Sequence, residues 1–202
     1  MVYFITALPF ESRAIFHFWG KAVLLQHQGT MRLFELAPGI RLVEVGLGVE
    51  DAEVVSRWWA EVPPQVVVNV GISGALVADY SVGDAVAVQL VCNEAGDTVS
   101  LALFPGGEWP TAVQVTVPEP VESEEQAQAL HRRTGAALVD MELYRIAREL
   151  QKNGPVPIYS VRVVSDHSNQ YARQTIRKHR TIIAREMRTV VGQIRKELRL
   201  KK

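Results

Sequence analysis

The sequence predicts an α/β fold with three layers, α/β/α, around a central mixed, mostly parallel twisted sheet. Three observations predict it. Short runs rich in β-branched residues alternate with segments of helical periodicity, the pattern of strands joined by crossover helices. One run, Val66-Val67-Val68-Asn69-Val70, is apolar without alternation, as a strand covered on both faces must be. The chain has 202 residues, 48% of them hydrophobic and 22% charged, which is enough to fill one core and short for two. A single domain over residues 1–202 is expected.

The elements follow in order. Residues 2–7 form a first strand of β-branched and aromatic types, which turns at Leu8-Pro9 into a helix from Glu11 to Trp19. Strands are expected at Ala22–Gln26, Met31–Leu36 and Arg41–Val45, the last ending at Gly46-Leu47-Gly48. A helix covers Glu50–Trp59, and the buried strand Val66–Val70 ends in the small-residue loop Gly71-Ile72-Ser73-Gly74. After a turn at Ser81–Asp84 come strands at Ala85–Val91, Val99–Phe104 and Ala112–Val117, the last two separated by Pro105-Gly106-Gly107. A short helix, Glu124–Arg132, precedes a strand at Ala136–Val139 and a helix at Met141–Gln151. Pro155 and Pro157 bracket the turn into the strand Ile158–Val164. From about Tyr171 to Leu200 one long helix places Ile183, Met187, Val190, Val191, Ile194 and Leu198 on a single stripe.

Composition removes several function classes. The 22 basic residues balance 22 acidic ones, so nothing in the whole-chain charge calls for nucleic acid or an anionic membrane as partner. A single cysteine, Cys92, cannot form an internal disulfide. His17, His27, His131, His167 and His179 are scattered, so no metal site and no organic cofactor are expected. The apolar start, Met1 to Leu8, has no basic leader and reads as a strand rather than a targeting segment. No apolar run approaches the roughly 20 residues of a membrane-spanning helix, and a cytoplasmic protein is expected. The C-terminal stretch stands apart, because Arg173–Lys202 holds eleven Lys or Arg against Glu186 and Glu197. It reads as an amphipathic helix with a solvated basic face, or as a surface that touches membranes.

Ligands of parallel sheets bind beyond the carboxyl ends of the strands, and three such ends carry candidate chemistry. In the first, Gly71, Ser73 and Gly74 allow close approach of backbone to ligand, or simply make a tight turn. In the second, Val139-Asp140-Met141-Glu142, Asp140 suits a helix cap, while Glu142 can accept hydrogen bonds from vicinal hydroxyls with flexible Met141 against a sugar face. In the third, Val164-Ser165-Asp166, Asp166 either caps the next helix or acts as a general acid favoured by partial burial.

Taken in order, Ala7-Leu8-Pro9-Phe10-Glu11, Gly46-Leu47-Gly48, Asn69–Leu76, Val82-Gly83-Asp84, Val139–Glu142 and Val161–Asp166 resemble the purine nucleoside and uridine phosphorylase superfamily. Within it they are similar to the 5′-methylthioadenosine/S-adenosylhomocysteine nucleosidases. The stretch from Val115 through Ser123 to Glu142 looks most like the hopanoid-associated nucleoside phosphorylase branch. The resemblance implies that Asp166 protonates N7 of a purine, with Ser165 beside it. It makes Glu142 and Met141 the ribose contacts and Glu11 the carboxylate that activates water. Glu11 has a plainer reading too, as an exposed residue in the first turn of a helix.

Two departures bear on the nucleophile. Phosphorylases of the superfamily carry a Gly-Asp-Pro loop with an arginine after the first strand and another arginine before the glycine loop; this chain has Leu8-Pro9-Phe10-Glu11 and Asn69. Arg13 could still reach an anion, but two residues after Glu11 it reads rather as a solvated helix residue or a salt-bridge partner. Water is therefore favoured over phosphate. Ile72 stands where these enzymes have Ser or Thr, and between Val91 and Val113 a hairpin-like connection replaces a longer segment with an extra helix. Futalosine hydrolases usually have Asn in place of Asp166. The expected function is hydrolysis of an adenosine-type nucleoside, of the methylthioadenosine, adenosylhomocysteine or adenosyl-hopane kind. A phosphorylase and a nucleoside-binding member without turnover are the alternatives. A small-molecule nucleoside is the expected partner, and a homodimer is expected from apolar surface on the helix bearing Trp58-Trp59.

Overall fold

A computed structural model of the chain describes residues 1–49 and 51–201. The described residues form ten strands and five helices. In chain order these are β1 (Val2–Thr6), α1 (Pro9–Trp19), β2 (Val23–Gln28), β3 (Met31–Ala37), β4 (Ile40–Glu44), α2 (Ala52–Glu61), β5 (Val66–Ala75), β6 (Ala85–Asn93), β7 (Thr98–Ser100), β8 (Thr111–Thr116), α3 (Glu124–Thr134), β9 (Leu138–Asp140), α4 (Leu143–Lys152), β10 (Ile158–Asp166) and α5 (Ala172–Glu197). The expected helix start at Glu50 and the last residue of the basic tail, Lys202, lie outside the described residues.

One twisted mixed sheet holds all ten strands. Its centre is parallel, β4–β1–β5–β10. The β2–β3 hairpin extends the β4 edge antiparallel, and β6 runs antiparallel to β10. Strand β5 is the hub: β10 pairs along one edge, while β1 and then the short β9 share the other. The stretch Gly71–Gly74, expected as a loop, continues this strand, because its amides and carbonyls pair with Arg162–Asp166 of β10. Conversely, β7 is three residues long where a strand to Phe104 was expected; beyond it the chain keeps a bridge from Ala102 to Tyr159.

Period-two alternation in β1 divides the core between two helical layers. Phe4 faces α1 and α5 and packs in one cluster with Ile15, Ile183, Met187, Val190 and Ile194. Its neighbours Tyr3 and Ile5 face the other way, onto Val54, Trp59, Leu143, Ile146 and Leu150 of α2 and α4. Full burial of such side chains stabilises the fold by about 1.5–3 kcal/mol each. Trp58 and Trp59 are 4% and 1% exposed, so this helix offers no outward tryptophan surface, and that argument for a homodimer falls away. Trp59 meets the edge of Tyr3, ring centroids 6.3 Å apart. Among the described residues, no helix is long and apolar enough to cross a membrane.

Candidate active site

The carboxyl ends of β1, β4, β5 and β10 surround a cavity of about 250 Å³, into which the β9–α4 turn also projects. That is just under the roughly 300–1,000 Å³ of sites for drug-sized ligands, so it suits one small molecule. Glu11, Ser73, Gly74, Met141, Glu142, Ser165 and Asp166, seven of the residues singled out in the sequence, line it. Val117, Val121, Val139 and Ile176 make much of the remaining wall apolar. The segment after β8 and the first turn of α5 form one side, held together across the surface by Arg173 and Glu122 at 3.0 Å.

Glu11 occupies the third position of α1, whose first turn is fixed by Pro9. Its side chain bends back over the helix start, where Oε2 accepts from the amides of Ala7 (2.7 Å) and Leu8 (2.8 Å) and Oε1 from the amide of Ile72 (2.9 Å). This residue is 2% exposed, which rules out the solvated reading. Burial pushes its carboxyl above the ordinary range; the three amides and the charge of Arg162 oppose that rise without cancelling it.

Glu142 lies in the turn before α4. Its Oε1 accepts from the amide of Gly48 at 2.9 Å, and the carbonyl of the same glycine accepts from Arg145 at 2.7 Å. The loop after β4 is thus clamped from both sides of one peptide residue. Burial, with the neighbouring charges of Asp140 and then Glu11, pushes the Glu142 carboxyl up to about 7 against the opposing influence of the Gly48 amide and Arg162.

Asp166 closes a local turn rather than capping α5. Its Oδ1 accepts from the amide of Ser168 at 2.7 Å, and its Oδ2 lies 2.6 Å from the Ser165 hydroxyl, which also reaches the carbonyl of Ser73 at 3.2 Å. Helix α5 starts six residues later, at Ala172. Ser168, a residue the sequence did not flag, holds φ at +49°, a conformation uncommon outside glycine, to deliver that amide.

The remaining expected residues are framework around these three. The Ser73 hydroxyl donates to Gln114 at 2.9 Å, inside the sheet. Gly71 does not line the cavity: a β-carbon there would run into the Arg162 guanidinium and come within 2.8 Å of Glu11 Oε1. A β-carbon on Gly74 would overlap the Ser168 hydroxyl and crowd Asp166. Both glycines are needed because polar side chains pack against bare backbone. Asp140 is structural, as its capping reading expected. It accepts from the Leu143 amide (2.9 Å), from Thr116 (2.6 Å) and from Arg162 (2.7 Å).

Arg162 is a buried charge behind the site that the sequence does not single out. It is 2% exposed in the middle of β10, paired with Asp140, and its charge acts on both Glu11 and Glu142. The signal was present: an arginine between Val161 and Val163 in a strand buried on both faces requires a counter-ion. Arg162→Ala is expected to lower unfolding free energy by about 3–5 kcal/mol, since it strands a buried carboxylate. Adding Asp140→Asn should recover part of that loss. Urea unfolding measures both, and a cost no larger than that of exposed Arg57→Ala would contradict the pairing. Among the described residues, no group of three His, Cys, Asp or Glu is arranged to hold a metal ion.

The family model of the phosphorylase superfamily matches residues 108–194. No curated protein matches the sequence. The chain is similar in structure to a futalosine hydrolase mutant of Helicobacter pylori, with TM-score 0.82 and 15% identity over 98% of this chain and 97% of that one. It is similar also to the 5′-methylthioadenosine/S-adenosylhomocysteine nucleosidase of Neisseria meningitidis in complex with methylthio-immucillin-A, at TM-score 0.82 and 18% identity, covering 96% and 97% of the two chains. A third likeness is the Streptococcus pneumoniae nucleosidase in complex with 8-aminoadenine, at TM-score 0.80 and 19% identity over 94% and 96%. At these identities the likeness is one of fold. The family-model match over residues 108–194 is to the same superfamily that the ordered motifs resemble.

Proposed function

We propose that this chain, whose residues 108–194 match the model of the phosphorylase superfamily, hydrolyses the N-glycosidic bond of an adenosine-type purine nucleoside and releases the base. The observation that carries the reading is the convergence of Glu11, Glu142 and Asp166 on one small, largely apolar cavity. The adenine-type ligands named for two of the similar structures support an adenosine-type substrate.

Each group has one task. Asp166 donates a proton to N7, so that the purine leaves neutral rather than as an anion; a positioned acid contributes typically about 10²–10⁴ in rate. The Ser168 amide fixes the orientation of the Asp166 carboxyl. Ser165 has one hydrogen and two acceptors within reach, so it can turn to Asp166 Oδ2 once that carboxyl is ionised. Glu142 accepts hydrogen bonds from the ribose hydroxyls with Met141 against the sugar, and its negative charge steadies the oxocarbenium-like sugar as the base departs. Glu11 takes a proton from water as it attacks the anomeric carbon. Its raised affinity for protons makes it a stronger base than a solvated carboxylate.

The electrostatics of the lining favour water over phosphate. Glu11, Glu122, Asp140, Glu142 and Asp166 line the cavity against Arg173 as its one cation among the described residues, and Arg173 is already paired with Glu122. Arg162 behind the wall is held by Asp140. No free guanidinium fork faces the position of an attacking phosphate. A panel of purine nucleosides incubated with and without phosphate, followed by chromatography, tests the reading: free base is expected at equal rates in both. Phosphate-dependent release would instead make the chain a phosphorylase, and saturable binding without release would make it a binding protein.

Ribose capture by ionised Glu142 has a pH signature. Because burial pushes its carboxyl up to about 7 in the free protein, kcat/KM is expected to fall about tenfold per pH unit below that value. A profile that stays flat through neutrality would contradict the assignment.

A further inference from the structure

The balanced whole-chain charge conceals a one-sided distribution. Residues Glu11 and Arg13 point about 200° apart around α1, so the helix that carries Glu11 to the cavity presents Arg13 to the opposite side, where α1 packs on α5. There the two helices leave a groove of two joined depressions, of about 430 and 920 Å³. The first is lined by Phe10, Arg13, Arg180 and Arg188, the second by Phe18, Arg185, Arg188, Arg195, Lys196 and Arg199. Arg188 belongs to both. From Arg180 to Lys196 the groove follows α5 for about 24 Å at 1.5 Å per residue.

Three features distinguish it from an ordinary solvated helix face. First, its charge is uncompensated: Arg13, Arg180, Arg188, Arg195, Lys196 and Arg199 have no carboxylate within 4 Å among the described residues. The two acids of α5 do not help, since Glu186 binds Arg185 and Glu197 turns to Gly106. Second, the cations are almost all arginine, whose planar fork matches phosphate. Third, guanidinium groups cover aromatic rings in both depressions, Arg180 over Phe10 at 5.3 Å and Arg195 over Phe18 at 5.1 Å. Arg-on-ring platforms set between free arginines combine a backbone-tracking charge with stacking surfaces for bases. A membrane surface fits less well, because the strongly exposed apolar side chains of this region, Tyr171 and Ile182, do not line the groove.

We propose that the groove between α1 and α5 binds single-stranded nucleic acid, with its arginines on the phosphates and its guanidinium-covered phenylalanines beneath the bases. The site is separate from the nucleoside cavity and independent of its chemistry. Fluorescence anisotropy with a labelled short oligouridylate tests it on the full chain. Saturable binding is expected, weakened at least tenfold in the exposed triple variant Arg13→Ala, Arg180→Ala, Arg188→Ala. The slope of log affinity against log salt should flatten by about 2, at about 0.7 per phosphate contact on a single strand. A matching thermal transition confirms that the variant is folded. The proposal is overturned if the oligonucleotide does not bind, or if the triple variant binds as wild type does. It is equally overturned if inorganic polyphosphate competes as well as RNA of equal charge, which leaves the platforms no role, or if anionic phospholipid vesicles bind in preference.

Discussion

Asp166→Asn is expected to lower kcat for base release by about 10²–10⁴ while leaving KM and thermal stability nearly unchanged. The substitution is close to isosteric. An asparagine Oδ1 still accepts from the Ser168 amide, and its amide nitrogen can donate to the Ser165 hydroxyl, so both contacts of the turn survive. Only the transferable proton is lost. Steady-state kinetics beside a melting curve separate this result from damage to the fold. Turnover close to wild type would mean that the base departs without an acid here, and that Asp166 serves the turn alone.

Glu11→Gln has an expected effect of similar size on kcat but a different signature. The carboxylate accepts three backbone amides, two on Oε2 and one on Oε1. A glutamine accepts on one atom only. Its best placement keeps Ala7 and Leu8 satisfied and sets its own N–H against the Ile72 amide, leaving a buried donor unpaired at a cost of about 1–3 kcal/mol. The variant should therefore lose about 10²–10⁴ in kcat through loss of the base, and also melt earlier. The pairing of effects is diagnostic. If stability falls and kcat does not, Glu11 is a clasp on the start of α1 and not the group that takes the proton from water.

Much of this arrangement could be read from the sequence, and the reasons are local. Asp166 and Glu142 follow strands whose apolar character is visible in a handful of residues, and the strand-end rule directs attention there. Glu11 was placed by the order of the motifs, yet its burial was not legible. A carboxylate in the first turn of a helix is normally solvated, whereas this one is buried and accepts from the amide of Ile72, sixty-one residues away in sequence. Glycines weaken a strand, so in the sequence Gly71–Gly74 reads as a loop. In the fold they are strand residues whose missing side chains make room for Arg162, Glu11 and Ser168.

Other features depend on tertiary partners. Trp58 and Trp59 are adjacent in sequence, which on an ordinary helix would turn one of them outward; here α4 and the sheet take both. Ser168 gains its importance from a positive φ that a serine does not announce. The basic stretch after Arg173 was plain in the sequence, but its concavity was not, because Arg13, Phe10 and Phe18 come to it from the opposite end of the chain.

By the proposed function, Glu11, Glu142 and Asp166 together replace a base by water at the anomeric carbon. Incubation of the wild-type chain with 5′-methylthioadenosine in ¹⁸O-labelled water containing phosphate, with mass spectrometry of the products, tests it most directly. Free adenine and a methylthio-sugar that carries the heavy oxygen are expected, with no sugar phosphate. Recovery of intact nucleoside, or of a phosphorylated sugar without the label, would contradict it.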